Sequence, residues 1–210
     1  MMRQRPLTKT EEPTMSDPRS EEPFEYTGVN HVALVCRDMA ETVAFYEGVL
    51  GMPLVKAIGF PGGRGQHFFF DCGQGATLAF MWFPDAPAAA PGVASQHANP
   101  ARDGAVTAHA SMNHLAIGIP LEKFDQYVDR LRAKGLAVHV INHNDAPTPD
   151  SRDLHPSTWI RSMYFADPNG IRLEFAAHTR AFGPMDIGAA PVNAEGVPVA
   201  PERRAVETVS

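Results

Sequence analysis

Two cysteines, Cys36 and Cys72, are all that 210 residues contain, which argues against a disulfide scaffold. No apolar run reaches membrane-spanning length and no signal-like hydrophobic segment is present, so neither a bilayer nor secretion is expected, and the predicted compartment is the cytoplasm. Lysine and arginine number 18 against 24 acidic residues, leaving a net charge of −6, and they form no run. Nucleic-acid affinity comes mainly from clustered basic side chains, so a phosphate-backbone partner is not expected. What is present is an ordinary globular composition, 44% hydrophobic and 20% charged. That is enough for one substantial core, in a single domain or in two small fused modules.

The ends bury little. Residues 1–23, rich in Arg, Thr, Glu and Pro, and residues 183–210, rich in Gly, Pro, Ala and Val, show no periodicity and are expected to be disordered tails. Residues 84–111 are a Pro/Ala-rich connection, long for the inside of a compact domain and therefore a linker or a lid. Two modules remain, 24–83 and 112–182. The polar stretch from His143 to Ser157 is a second candidate lid.

The modules begin alike and end alike. Asn30-His31-Val32-Ala33-Leu34-Val35 aligns with Asn113-His114-Leu115-Ala116-Ile117-Gly118, and Gly75-Ala76-Thr77-Leu78-Ala79-Phe80 aligns with Gly170-Ile171-Arg172-Leu173-Glu174-Phe175. In the first copy a strand from Asn30 to Cys36 leads to Asp38, an N-cap with Glu41 in capping-box position. A helix follows with Met39, Val43, Tyr46 and Leu50 as its apolar stripe and Gly51 as its stop. Strands at Met52 to Ile58, His67 to Asp71 and Ala76 to Phe83 complete βαβββ. The second copy repeats the order: strand His114 to Ile119, helix Leu121 to Lys134, then strands Leu136 to Asn142, Trp159 to Phe165 and Ile171 to Ala176. The predicted class is α+β, two paired βαβββ modules forming a curved mixed sheet around a metal site.

Alternation along the strands puts chemistry on one side. Ile171, Leu173 and Phe175 must pack on a helix, which sends Glu174 to the opposite face. The same logic, with Val32, Leu34 and Cys36 packing in one copy and Leu115, Ile117 and Ile119 in the other, puts His31 and His114 on that opposite face. A repeat that keeps His twice and a carboxylate once offers the two-imidazole, one-carboxylate set of non-haem Fe(II) sites. If the sheets curve toward each other, the three groups converge, and a divalent ion would satisfy all of them at once. His67, sharing a strand face with Phe69 and Asp71, is either a further imidazole for the site or a buried structural histidine.

The doubled pattern, with Asn30-His31-Val32, Phe45-Tyr46-Glu47-Gly48-Val49-Leu50-Gly51 and Asp167-Pro168-Asn169-Gly170-Ile171-Arg172-Leu173-Glu174-Phe175, resembles the vicinal oxygen chelate superfamily. That group holds glyoxalase I, bleomycin-resistance proteins, fosfomycin-resistance thiol transferases and type I extradiol dioxygenases. Glyoxalase I uses four ligands, and Ala79 stands where the first module's Glu would be. The set His31, His114, Glu174 is instead similar to that of extradiol dioxygenases and fosfomycin-resistance enzymes. The dioxygenase likeness further implies roles for Tyr164, ten residues before Glu174, and His155, nine before Tyr164, in orienting and deprotonating substrate. It also implies a histidine just before the Thr-Leu-Ala-Phe segment, where this chain has Ala76.

The resemblance thus implies an extradiol-type dioxygenase acting on a catechol-like or enediol-like small molecule. Fe(II) is the favoured metal, and Mn(II), Zn(II) or Ni(II) are alternatives. Two rivals stay open: a glyoxalase-like isomerase, lyase or thiol transferase with the same triad, and a non-catalytic binding or resistance protein. A homodimer is the expected assembly.

Overall fold

A computed structural model describes residues 25–90, 97–98, 105–187 and 189–199. The expected N-terminal tail, residues 91–96 and 99–104 of the central connection, and residues 200–210 therefore lie outside the described residues. The first module runs β1 (His31–Val35), α1 (Met39–Val43), β2 (Leu54–Gly59), β3 (Gln66–Gly73) and β4 (Ala76–Trp82). Its sheet has the order β1-β4-β3-β2, with β1 parallel to β4 and the other pairs antiparallel. A two-stranded ribbon, β5 (His97–Ala98) with β6 (Ala105–Val106), follows.

The second module runs β7 (Leu115–Gly118), α2 (Phe124–Ala133), β8 (His139–Asn144), β9 (Asp150–Ser151), β10 (Thr158–Ala166) and β11 (Arg172–His178). Its sheet order is β7-β11-β10-β8-β9, and β7 is parallel to β11. The α+β class and the doubled βαβββ order match what the repeat predicts.

Local chemistry explains the elements. Asp38 caps α1 by accepting the Glu41 backbone N–H at 3.0 Å, satisfying one of the donors that every helix start leaves open. The helix then widens into a π-turn, Ala44–Val49, in which the Leu50 N–H reaches back to Phe45 O at 2.9 Å. The extra residue per turn rotates the apolar face, so the adjacent Phe45 and Tyr46 are both buried. Gly51, at φ +76°, ends the segment in the left-handed conformation that side chains resist.

One difference from the sequence reading matters for the site. Strand β8 begins at His139 rather than Leu136 and extends through His143 and Asn144, which composition alone assigns to a polar loop. The loop itself turns back as β9, which pairs Asn142 with Ser151 and His143 with Asp150. Polar residues hold this edge because their own hydrogen bonds are met inside it: buried Asn142 donates to Arg152 O at 2.9 Å and accepts from Arg161 Nε at 3.3 Å. Beyond β11, the segment is tied down by Arg180, whose guanidinium binds Asp186 at 2.6 Å and Asp145 at 3.0 Å. The hydrogen bonds from Arg180 hold the Asp186 carboxyl at about 2.

A single apolar cluster serves both modules. Tyr46, Phe70 and Phe80 from the first and Phe124, Met163 and Leu173 from the second are fully buried in it, each contributing roughly 1.5–3 kcal/mol of transfer free energy. Polar contacts cross between the modules on this same side. Tyr46 donates to Asp167 Oδ2 at 3.2 Å, the Arg37 N–H donates to Asn169 Oδ1 at 2.9 Å, and Lys134 Nζ reaches the carbonyls of Gly48 and Val49 at 3.2 and 2.5 Å. The helix-bearing sides of the two sheets are therefore the sides joined. Their other faces, which carry His31 and Glu174, turn away from the joint.

On the same helix side, Arg161 lies over the Phe124 ring at 4.1 Å and clamps Asp125 with both terminal nitrogens, at 3.2 and 2.8 Å. The hydrogen bonds from Arg161 lower the Asp125 carboxyl. A carboxyl lowered in the fold contributes stability above its unfolded value and loses it as pH falls through the folded one. Because Asp125 is largely exposed, the effect is screened. We expect Asp125→Asn to lower stability by less than about 1 kcal/mol at pH 7 and by less still at pH 3, measured as urea midpoints at the two pH values.

Candidate metal centre

The centre of the second module follows from the pleat of β11. Leu173 and Phe175 enter the core, and Glu174 between them is placed on the opposite face, yet only 4% exposed. A buried carboxylate needs partners. Ser162, on neighbouring β10, donates to Glu174 Oε1 at 2.5 Å. The other oxygen, Oε2, lies 2.9 Å from His114 Nε2, because His114 immediately precedes β7, the parallel neighbour of β11.

The tautomer of His114 makes that contact informative. Its Nδ1 sits 2.7 Å from Asn113 Oδ1, an amide oxygen that can only accept, so Nδ1 carries the proton. Nε2 then faces a carboxylate oxygen with a lone pair, an arrangement that is repulsive unless a cation lies between them. That cation is a second proton on the ring or a metal ion held by both groups. The residues fit a divalent ion: a braced imidazole, a carboxylate with one oxygen already satisfied, and a shell of hydrogen bonds that fixes both. The first module repeats the brace, with His31 Nδ1 2.8 Å from Asn30 Oδ1. The Asn before each His thus braces that ring, and its recurrence in both copies is the signal that could have pointed to it.

Tyr164 stands in register with Glu174 across β10 and β11. Its ring packs edge-on to His114 at 5.6 Å, and the Arg172 guanidinium lies 4.3 Å above it. Burial pushes the Tyr164 phenol up, and the charge of Glu174 adds to that. The imidazole at its hydroxyl belongs to His143, with Nε2 at 3.3 Å, and His143 Nδ1 is held by Asp150 at 2.5 Å. The carboxylate accepts from Nδ1, which leaves Nε2 to accept from the phenol. His155 is elsewhere: it folds back on its own turn, Nδ1 on Ser157 Oγ at 2.7 Å and its backbone N–H on Thr158 Oγ1 at 3.0 Å. Spacing in the chain points to His155, and a bulge with an extra strand brings His143 instead.

His31 is exposed on the outer face of the first sheet, edge-on to Phe69 at 6.0 Å. His67 packs against the same Phe69 at 4.2 Å, its ring tilted by 42°, and its Nε2 is buried with no hydrogen-bond partner among the described residues. Burial, and then the neighbouring His31, lowers the pKa of His67. Among the described residues no three His, Cys, Asp or Glu side chains come close enough to share an ion. The expected convergence of His31, His114 and Glu174 within one chain is therefore not what the structure has. The core joins the helix sides of the two modules, and the two candidate half-sites face outward. Among the described residues no helix is long and apolar enough to cross a membrane.

Comparison with known proteins agrees with the architecture. Among solved structures, SMU.1112c superimposes with a TM-score of 0.50 at 21% identity, over 72% of this chain and 99% of that one. A glyoxalase family protein from Enterococcus faecalis gives 0.50 at 19% identity, over 72% and 98%. The fosfomycin resistance protein FosX from Listeria monocytogenes, crystallised with Mn(II) and sulfate, gives 0.46 at 19% identity, over 74% and 95%. The family profile for the Glyoxalase/Bleomycin resistance protein/Dioxygenase superfamily matches residues 28–175. With two βαβββ modules and a match across most of its length, the chain belongs to that superfamily.

Proposed function

We propose that the protein is a divalent-metal enzyme of the extradiol-dioxygenase type, active as a homodimer in which His31 of one copy completes the His114–Glu174 pair of the other. The observation that carries this reading is the 2.9 Å approach of His114 Nε2 to Glu174 Oε2 with Nδ1 already committed to Asn113. The dimer follows from the outward turn of both half-sites. Each lacks what the other displays, and a two-fold pairing supplies both deficits at once.

Held by His114, Glu174 and the second copy's His31, Fe(II) would supply Lewis acidity and redox chemistry toward O2, with Mn(II), Zn(II) or Ni(II) as alternatives for the Lewis acidity. The chain's own groups do the rest. Tyr164 presents its hydroxyl beside Glu174, where a substrate hydroxyl would arrive, and His143 Nε2 accepts the proton that Tyr164 relays. Asp150 keeps the accepting nitrogen pointed at the phenol and stabilises the ring once charged. His67 offers an orphaned Nε2 on the face that carries His31, an imidazole for the oxygen side that Ala76 does not provide. Phe69 between the two rings keeps water from that side.

Ala76 is also the observation that favours a second reading, in which the same centre stabilises an enediolate in an isomerase, lyase or thiol transferase and consumes no oxygen. Anaerobic Fe(II) loading followed by a catechol panel separates the two. Oxygen uptake with a ring-cleavage colour is the expected result, and its absence with every metal supports the second reading. Less than a tenth of an equivalent of metal after loading would remove both enzyme readings and leave a binding protein. Tyr164→Phe is expected to keep its metal and lose about 10²–10⁴-fold in kcat, the range for deleting a general acid–base group.

A further inference from the structure

A cavity of about 1140 Å³ opens beside Tyr164 and is lined by Arg132, Arg152, Arg172, His139 and Asp150 among others. Three guanidiniums around one hollow stand out against a chain of net charge −6. Asp150, the one acidic residue in the lining, is already engaged by His143 at 2.5 Å. Among the described residues Arg132 and Arg152 have no carboxylate partner, and the only hydrogen bond of the Arg132 guanidinium goes to the Val138 carbonyl at 3.4 Å. Arg172 is seated on the Tyr164 ring. The position of Arg152 is built rather than incidental, because buried Asn142 grips its backbone carbonyl at 2.9 Å.

Like charges gathered at a concave wall focus a positive potential into it. Guanidinium forks match the paired oxygens of a carboxylate, phosphonate or phosphate. We propose that this cavity is an oxyanion subsite: the substrate carries an acidic group held by Arg132 and Arg152, with its two adjacent oxygens directed past Tyr164 to the His114–Glu174 pair. The second half of this statement rests on the function proposed above. The subsite itself does not, since it needs no metal.

The test uses the full, metal-free chain and calorimetric titration with phenylphosphonate, benzoate and the neutral benzyl alcohol. Both anions are expected to bind at least tenfold more tightly than the alcohol, with affinity that falls as salt is raised, and the tighter of the two identifies the oxyanion class. The double variant Arg132→Gln/Arg152→Gln should lose that advantage, while Arg132→Lys/Arg152→Lys, which keeps the charges without the forks, should lose part of it. Equal affinity for the alcohol, or unchanged anion affinity in the Gln variant at an unchanged melting temperature, would overturn the proposal. Metal uptake by the Gln variant, measured separately, should match the unsubstituted protein. Failed metal binding in both counts against the proposed function and leaves the subsite result standing.

Discussion

Mixing His31→Ala protein with His114→Ala protein, after joint unfolding and refolding, is expected to restore metal binding that neither variant has alone. Each variant homodimer lacks one imidazole in both sites and should hold less than about a tenth of an equivalent after anaerobic Fe(II) loading. Random pairing of equal amounts makes half of the dimers mixed. In a mixed dimer one site lacks both histidines and the other is intact, so about a quarter of all sites recover. Metal analysis of the mixed sample reads this directly. A mixture that stays as empty as its components would show that no site is shared between copies, and full occupancy in His31→Ala alone would remove His31 from the ligand set. Both substitutions are at positions with substantial exposure, outside the common core, so loss of folding is not the expected cause of either outcome.

The second large effect concerns the joint between the modules. Asp167 is 6% exposed and accepts four hydrogen bonds: from the backbone N–H groups of Asn169 and Ile171, each at 2.8 Å, from Asn169 Nδ2 at 3.1 Å and from the Tyr46 hydroxyl at 3.2 Å. Asp167→Ala leaves the buried Ile171 N–H and the fully buried Tyr46 hydroxyl without acceptors, and we expect a loss of about 3–5 kcal/mol, from ~1–3 kcal/mol per stranded group. Burial raises the Asp167 carboxyl against the pull of those hydrogen bonds, so its charge is a cost to the fold. Asp167→Asn removes the charge and keeps an acceptor, and should lose no more than about 2 kcal/mol. Urea midpoints of the two variants test the ordering. An Asn variant as unstable as the Ala variant would show that the carboxylate charge, which both lack, rather than its acceptors, holds the turn.

Much of the architecture was legible because periodicity and end signals are local. Asp38 caps the helix that its spacing to Glu41 announces, Gly51 and Gly135 stand at helix ends in the positive-φ conformation, and the two sheets come out as equivalent halves. The illegible parts have specific causes. The π-turn at Ala44–Val49 departs from the 3.6-residue period on which spacing is read, so a fixed helical period does not express it. His143 reads as loop because Asn, His and Asp dominate its neighbourhood, yet Asn142 and Asn144 are buried and satisfied by partners that are distant or beyond the strand, including Arg161 and the Pro149 carbonyl. The contact of His143 with Tyr164 is consequently invisible to spacing, which singled out His155.

For the site, the sequence by itself determined which face each candidate occupies. Side chains alternate on a strand, so the apolar partners of His31, His114 and Glu174 assign those three to the outer faces wherever the sheets lie. The pairing of His114 with Glu174 follows from the parallel neighbours β7 and β11 within one module, and the doubled Asn-His dipeptide carries its own brace. Only the tertiary structure decided how one module sits against the other. That depends on which apolar surfaces are largest, and those are the helix sides that meet around Tyr46, Phe80, Phe124 and Leu173. Burying them together turns the polar faces outward, and so the third ligand must come from a second copy rather than from the same chain if the triad is to close.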